Sequence, residues 1–231
     1  MWATLQKRPD YSLISGVMSS NPPEELAGLI SPALWQLSRH GEICRYRKGA
    51  VLIEAGGRGE RLYVVLSGRL RWFSTNDAGK ELTYGECGPG DYLGELCWDG
   101  QPQPYSVVVQ EGCCCAVIAR QNLMRHLTTH PELYVVLLER SFARVRELAL
   151  LSCQLGLDDV YTRLRRVLET HGPGGKSGAS GWVRLTHRDI ACRIGCSREM
   201  VSRLLKDLEQ GGCIRRHPAG IEVLRRLPHR W

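Results

Sequence analysis

The 231-residue sequence predicts an α+β chain in three parts: an N-terminal antiparallel β region, one long helix, and a C-terminal helix–turn–helix followed by a β-hairpin. Three observations carry this. Between Gly41 and Ile118 short apolar or alternating runs are punctuated by glycine turns, the texture of an antiparallel barrel or sandwich. From Pro131 to about Leu155 apolar residues recur at helical spacing. From Leu185 to Glu209 two capped amphipathic segments flank Gly195.

The elements follow in order. Residues 1–20 have weak periodicity and read as loosely held. Asn21 before Pro22-Pro23-Glu24-Glu25 reads as a helix start, because proline suits a first turn and acids complement the helix dipole. Ser31-Pro32 opens a second short helix through Leu37. Strands are expected at Val51–Ile53, Leu62–Leu66, Leu70–Phe73, Glu81–Tyr84, Ser106–Val109 and Cys115–Ile118. Turns are expected at Gly56-Gly57, Ser67-Gly68, Asn76 to Gly79 and Gly88-Pro89-Gly90. Gln121 to Thr128 is a short helix.

In the long helix Tyr134, Leu138, Ser141, Val145, Leu148, Ser152 and Leu155 step by four and three. That is the seam of a two-helix coiled coil, so self-association is expected. Leu133, Leu137 and Phe142 make a second apolar flank that suits packing on the β region, and both roles are compatible. Gly156 is expected to break the helix. Asp158 or Asp159 caps the next, Val160 to Thr170. His171 to Gly181, rich in Gly, Pro and Ser, is a loop. The domain division is therefore 21–130, 131–156 and 157–231.

Composition excludes several classes. At 43% apolar and 24% charged the chain is an ordinary globular protein, neither disordered nor collagen-like. Its longest clear apolar run, Leu133 to Leu138, is far short of the roughly 18–20 residues of a membrane helix, so no membrane partner is expected. No apolar stretch follows Lys7-Arg8, so a secretory signal is not expected. The ten cysteines then read as reduced thiols in a cytoplasmic protein. Cys113, Cys114 and Cys115 would alternate faces in a strand and could not jointly hold one ion. Cys192, Cys196 and Cys213 lack a clean CxxC pair, so no metal is assigned.

Charge is concentrated at one end. Residues 1–155 carry 16 Lys and Arg against 16 Asp and Glu, whereas 156–231 carry 15 against 8. The basic excess points to a polyanion, nucleic acid first. In the capped pair, Thr186 and Asp189 form a capping box and Gly195 supplies the left-handed turn. Ser197 caps the second helix, whose buried stripe is Val201, Leu204, Leu205 and Leu208. Arg198, Glu199, Ser202 and Arg203 are left outward at its N-terminal end, where a recognition helix meets base edges in a major groove. Arginine grips guanine O6 and N7, and glutamate accepts from cytosine N4. Cys213 to Leu224 alternates around Pro218-Ala219-Gly220 and reads as a wing hairpin. Arg215, Arg216 and His217 are phosphate-contact candidates there, with Thr186, Ser197, Ser202 and Lys206 in the helix pair.

This order resembles the cyclic-AMP receptor protein/FNR (Crp/Fnr) family of bacterial transcription regulators over about residues 41–227. The most specific string is Gly195-Cys196-Ser197-Arg198-Glu199 with Arg203 following. The resemblance implies an N-terminal β-roll of the cyclic-nucleotide-binding kind, a dimerisation helix and a winged helix-turn-helix. It also implies a cytoplasmic homodimer binding double-stranded DNA, with Arg198, Glu199 and Arg203 reading a TGTGA-type half-site. RNA polymerase is the expected protein partner of an activator in this family, met in part by loops such as His171 to Gly181.

A second string, Gly90-Asp91-Tyr92-Leu93-Gly94-Glu95-Leu96, resembles the family's phosphate-binding cassette. There a short helix start holds the cyclic phosphate, and the glutamate, here Glu95, binds the ribose hydroxyl. The tentative effector pocket is Gly94, Glu95, Leu96, Tyr105, Ser106, Arg144 and Leu148. It departs from the family's cyclic-AMP binders at two anchors. Tyr105 stands where they place an arginine, and brings no countercharge. Leu148 and Ala149 stand where they place a Thr-Ser pair that bonds adenine. Cyclic AMP is therefore not the expected effector; another cyclic nucleotide, a cyclic dinucleotide or no ligand is. The family's N-terminal iron–sulfur cysteine cluster has no counterpart, since Cys44 alone precedes Cys87.

Two other readings stand beside this one. The β region could sense a ligand, or redox state through Cys97 or Cys113 to Cys115, with protein–protein interaction as output. An enzyme is not expected, because Glu95, His126 and His130 have no nucleophile partner at local spacing and no phosphate-loop or dinucleotide fingerprint occurs.

Overall fold

The computed structural model describes residues 14–19, 28, 30–171 and 182–231. The expected helix start at Asn21 and most of the loop after His171 lie outside them. The chain divides into two units. One holds the described residues up to Ser74 with Tyr84–Val145; the other holds Thr75–Thr83 with Arg146–Trp231.

The first unit is built on an antiparallel sheet. Its strands are β1 (Ile14–Ser19), β2 (Glu42–Tyr46), β3 (Val51–Ile53), β4 (Arg61–Thr75), β5 (Glu81–Cys87), β6 (Tyr92–Leu93) and β7 (Ser106–Ala119). The order is β1-β2-β7-β4-β5, with β3 also on β7 and β6 also on β4. Helix α1 (Pro32–Ser38) is capped by Ser31, whose Oγ accepts from the Leu34 N–H, and has proline in its first turn. Helix α2 (Arg120–Thr129) follows β7.

Strand β4 explains why the unit has two cores. Successive side chains of a strand point to opposite faces. Tyr63 and Val65 enter an inner core with Leu70, Trp72, Leu93, Val107 and Cys115. Leu62, Val64 and Leu66 face the helices and meet Leu34, Leu37, Ile118, Leu123, Leu127 and Leu133. Each fully buried leucine contributes about 1.5–3 kcal/mol relative to exposure.

The structure corrects several expectations. Ser67-Gly68 is not a turn: β4 runs through it, with shifts of register against β7 between Val65 and Leu70. Gly68 has φ +83°, and a Cβ there would lie 2.6 Å from the Cys113 Cα, so the bulge requires glycine. Ser106–Val109 and Cys115–Ile118 are likewise one strand, β7. Ile14–Ser19, expected to be loose, pairs with β2.

Helix α3 (Glu132–Leu157) ends one residue past Gly156, within a residue of the expected break. Nothing lies within 4 Å of the position a Cβ would take at Gly156, so the glycine costs the helix about 1 kcal/mol in propensity and no more. Leu133 and Leu137 pack into the outer core, while Phe142, expected beside them, is 56% exposed.

The second unit contains α4 (Val160–His171), β8 (Trp182–Val183), α5 (His187–Ile194), α6 (Arg198–Gln210), β9 (Ile214–His217) and β10 (Gly220–Val223). Its core joins Leu164 and Leu168 of α4, Ile190 and Ile194 of α5, Val201, Leu205 and Leu208 of α6, and Ile214 and Ile221 of the hairpin. The sheet order β8-β10-β9 adds a third strand that the sequence reading did not anticipate.

Candidate nucleic-acid interface and effector site

The helix–turn–helix is set by local chemistry. Thr186 caps α5: its Oγ1 accepts from the Asp189 N–H at 3.1 Å, and the Thr186 N–H donates to Asp189 Oδ2 at 2.9 Å. Gly195 ends α5 in the left-handed region, φ 66°. Two residues later Ser197 caps α6, its Oγ accepting from the Met200 N–H at 3.2 Å.

Helix α6 then divides cleanly. Val201, Leu205 and Leu208 are fully buried, whereas Arg198, Glu199, Arg203 and Lys206 are exposed. Among the described residues neither Arg198 nor Arg203 makes an ion pair, so both guanidiniums are uncommitted. The Glu199 carboxyl is held below its usual range by its own backbone N–H and then the Ser197 hydroxyl, which keeps it an anionic acceptor.

The phosphate-contact candidates are more constrained. Ser202 is bonded by its Oγ to His187 Nδ1 at 2.8 Å. Thr186 and Ser197 spend their hydroxyls on caps. In the wing, Arg215 faces Glu222 across the ladder at 3.4 Å. Arg216 is gripped by Glu209, with its N–H on Oε1 at 3.0 Å and its Nε–H on Oε2 at 2.7 Å. His217 packs on Trp182, ring centroids 5.4 Å apart.

Three residues here escaped the sequence reading. Met200 is exposed in the first turn of α6; His187 fixes Ser202, and Glu209 fixes Arg216. The last two act across elements, and no local pattern encodes that. Met200 stands directly after Glu199, so its place in the exposed first turn was the available signal.

In the first unit the cassette string forms β6 and a 3-10 turn, Glu95–Trp98. Gly94 precedes it with φ 93°, and a Cβ there would run into the Arg61 carbonyl. Glu95 forms a buried ion pair with Arg144 of α3. The Arg144 guanidinium also donates to the Tyr92 carbonyl and lies 3.9 Å from Cys87 Sγ. It is 5.1 Å from the Tyr92 ring centroid. Burial pushes the Cys87 thiol up to about 11.

Tyr105 is buried edge-on to Trp72 at 5.2 Å, and burial, then Glu95, raises its phenol. Leu96 packs against the inner core. Ser106 Oγ accepts from the Ala55 N–H at 3.0 Å. Leu148 falls in the second unit. Asp91 is paired with Arg140 at 3.1 Å. Cys113 and Cys115 share the inner face, Sγ to Sγ 3.8 Å, with Cys114 on the other face. No group of three metal-ligating side chains occurs among the described residues, and no helix there is long and apolar enough to cross a membrane.

A sensory β-roll followed by a winged helix-turn-helix is the architecture of a DNA-binding transcription regulator. Residues 43–130 match the cyclic nucleotide-binding domain model, and residues 162–227 match the Crp-like helix-turn-helix domain model. The cyclic AMP receptor protein of Thermus thermophilus is 30% identical over 183 residues, 77% of this chain and 82% of that protein. The cAMP-activated global transcriptional regulator CRP of Pasteurella multocida is 28% identical over 200 residues, 84% of this chain and 95% of its own. The solved c-di-GMP responsive global regulator CLP of Xanthomonas campestris shares the fold, with TM-score 0.76 at 22% identity over 84% of this chain and 98% of that one. The chain belongs to the Crp/Fnr family of transcription regulators and carries that family's DNA-binding domain.

Proposed function

We propose that this protein is a homodimeric regulator that reads palindromic TGTGA-like half-sites. The observation that carries the reading is the exposed, unpaired Arg198 and Arg203 with Glu199 at the start of α6. A structural helix pair needs only the buried stripe; the outward charges match the donors and acceptors of base edges. Thr186, Ser197, Ser202, Lys206, Arg215, Arg216 and His217 surround them as phosphate contacts, and Arg216 must share its charge with Glu209.

Two copies are joined through α3. Tyr134, Leu138, Val145 and Leu148 are 39%, 51%, 63% and 37% exposed, an apolar stripe too long to be left in water. Two-fold pairing through it supports a palindrome with half-sites about one helical turn apart. The working division is 21–130 for the sensor, 131–156 for dimerisation and 157–231 for DNA, in a cytoplasmic protein that meets RNA polymerase.

Control is by an effector other than cyclic AMP, or by none. Glu95, the family's ribose ligand, is already engaged by Arg144, and Tyr105 brings no charge to a phosphate. A different cyclic nucleotide or a cyclic dinucleotide is the ligand class to test.

The test is fluorescence anisotropy of wild type and Arg198→Ala on a palindromic TGTGA-type duplex and a scrambled one. The substitution should cost about 1–3 kcal/mol on the palindrome and leave scrambled binding unchanged. Equal losses on both duplexes would remove Arg198 from base reading.

A further inference from the structure

We propose that a cleft between the end of α1 and α2, remote in sequence from the cassette, is a binding site for a phosphomonoester. The cleft has a volume of about 420 Å³ and is lined by Gln36, Arg39, His40, His126 and His130. Every lining side chain can donate a hydrogen bond, and none is a carboxylate.

The three imidazoles form one cluster, of which His126 and His130 stack. The His126 and His130 rings lie 4.1 Å apart and nearly parallel at 11°, and His40 tilts against His126 at 4.7 Å. His126 is only 6% exposed. His130 uses Nδ1 alone for its bonds to Thr129 Oγ1 at 2.8 Å and the His126 carbonyl at 3.3 Å. Its Nε2 therefore has no partner among the described residues.

The charges that bear on the cluster are mostly positive. Arg39 and His40 follow the end of α1; His126 lies in α2, and His130 caps its end. Glu132, at the start of α3, is the one acid that favours the charged form of His126 among the described residues. Burial, then His130, then His40 hold its imidazole below the ordinary value. Neighbouring imidazoles thus disfavour the charged form of His126, and an anion seated in the cleft would offset that.

A metal is the other ligand such a cluster suggests. No three metal-ligating groups converge among the described residues, and Arg39 would repel a cation. A phosphoryl group fits the donor set: its oxygens accept a bidentate guanidinium and imidazolium N–H groups together. The volume is several times what a free oxyanion fills and falls in the range of small-ligand pockets, roughly 300–1,000 Å³. The organic part of a small phosphomonoester accounts for the remainder, with the Gln36 amide placed to bond its hydroxyls.

The experiment is an NMR titration of the histidine ring C–H signals in the full-length protein, at constant ionic strength. It is run with sodium chloride alone, with added sulfate, and with added glycerol 3-phosphate. His40→Gln, His126→Gln and His130→Gln each remove one signal and so assign the three rings. Glycerol 3-phosphate should raise the titration midpoint of His126 by about one pH unit, equivalent to about tenfold tighter binding when His126 is protonated. Arg39→Gln, at an exposed position, should cancel the shift while the circular dichroism spectrum stays unchanged.

Superimposable titration curves with and without anion would overturn the site, as would a shift that survives Arg39→Gln. Sulfate acting as strongly as glycerol 3-phosphate would overturn the assignment to a phosphomonoester. No DNA is present, so failure here leaves the reading of α6 untouched.

Discussion

Replacing Arg144 by methionine keeps most of the aliphatic stem and removes the charge. The Arg144 side chain is 6% exposed and Glu95 17%, so the Glu95 carboxylate would be left almost dry. Removing one partner of a buried pair costs about 3–5 kcal/mol, because the other charge stays buried without compensation. At a urea slope of about 2–3 kcal/mol/M, that lowers the unfolding midpoint by about 1–2.5 M. Adding Glu95→Gln to Arg144→Met removes the stranded charge, so the double variant should lose less than the two single losses added together, by about 1–3 kcal/mol.

Equilibrium unfolding in urea followed by circular dichroism measures the single and the double losses. A loss under about 1 kcal/mol for Arg144→Met, or strict additivity in the cycle, would refute the argument that this pair closes the cassette.

The other predictions concern the wing, the seam and the histidines. Arg215→Ala should weaken binding about equally on palindromic and scrambled duplexes and reduce the salt slope by about 1, which a salt series of anisotropy curves checks. Val145→Asp with Leu138→Asp should shift sedimentation from dimer to monomer and abolish palindrome binding, while either position alone in the core of one subunit would instead unfold it. The His126 imidazole is held below its ordinary value, chiefly by burial. The unfolded state therefore binds more protons, and stability present above that value is lost as pH falls. Urea midpoints of wild type should drop between about pH 7.5 and about pH 5.5 more steeply than those of His126→Gln.

Much of the C-terminal half was legible because its signals are local. Thr186 with Asp189, Gly195, and Ser197 before an amphipathic stripe each specify their own geometry within four residues. The apolar alternation likewise marked most strands of the β region. What escaped was decided at long range. A glycine at positive φ serves a turn or a bulge equally well, and only pairing with β7 makes Gly68 a bulge. Trp182–Val183 is too short to show a period. The Arg144–Glu95 and Arg216–Glu209 pairs join segments whose approach only the tertiary fold creates.

Whether α6 reads bases is decided by affinity and stoichiometry on DNA. Wild-type protein is titrated at fixed salt onto a palindromic TGTGA-type duplex, a single half-site and a scrambled duplex, each with and without cyclic AMP. Binding to the palindrome should be about 10³-fold or more tighter than to the scrambled duplex, with two chains per palindrome and no enhancement by cyclic AMP. Equal affinity for palindrome and scrambled duplex would contradict base reading by α6, and specific binding that appears only with cyclic AMP would contradict the part assigned to Arg144 and Tyr105.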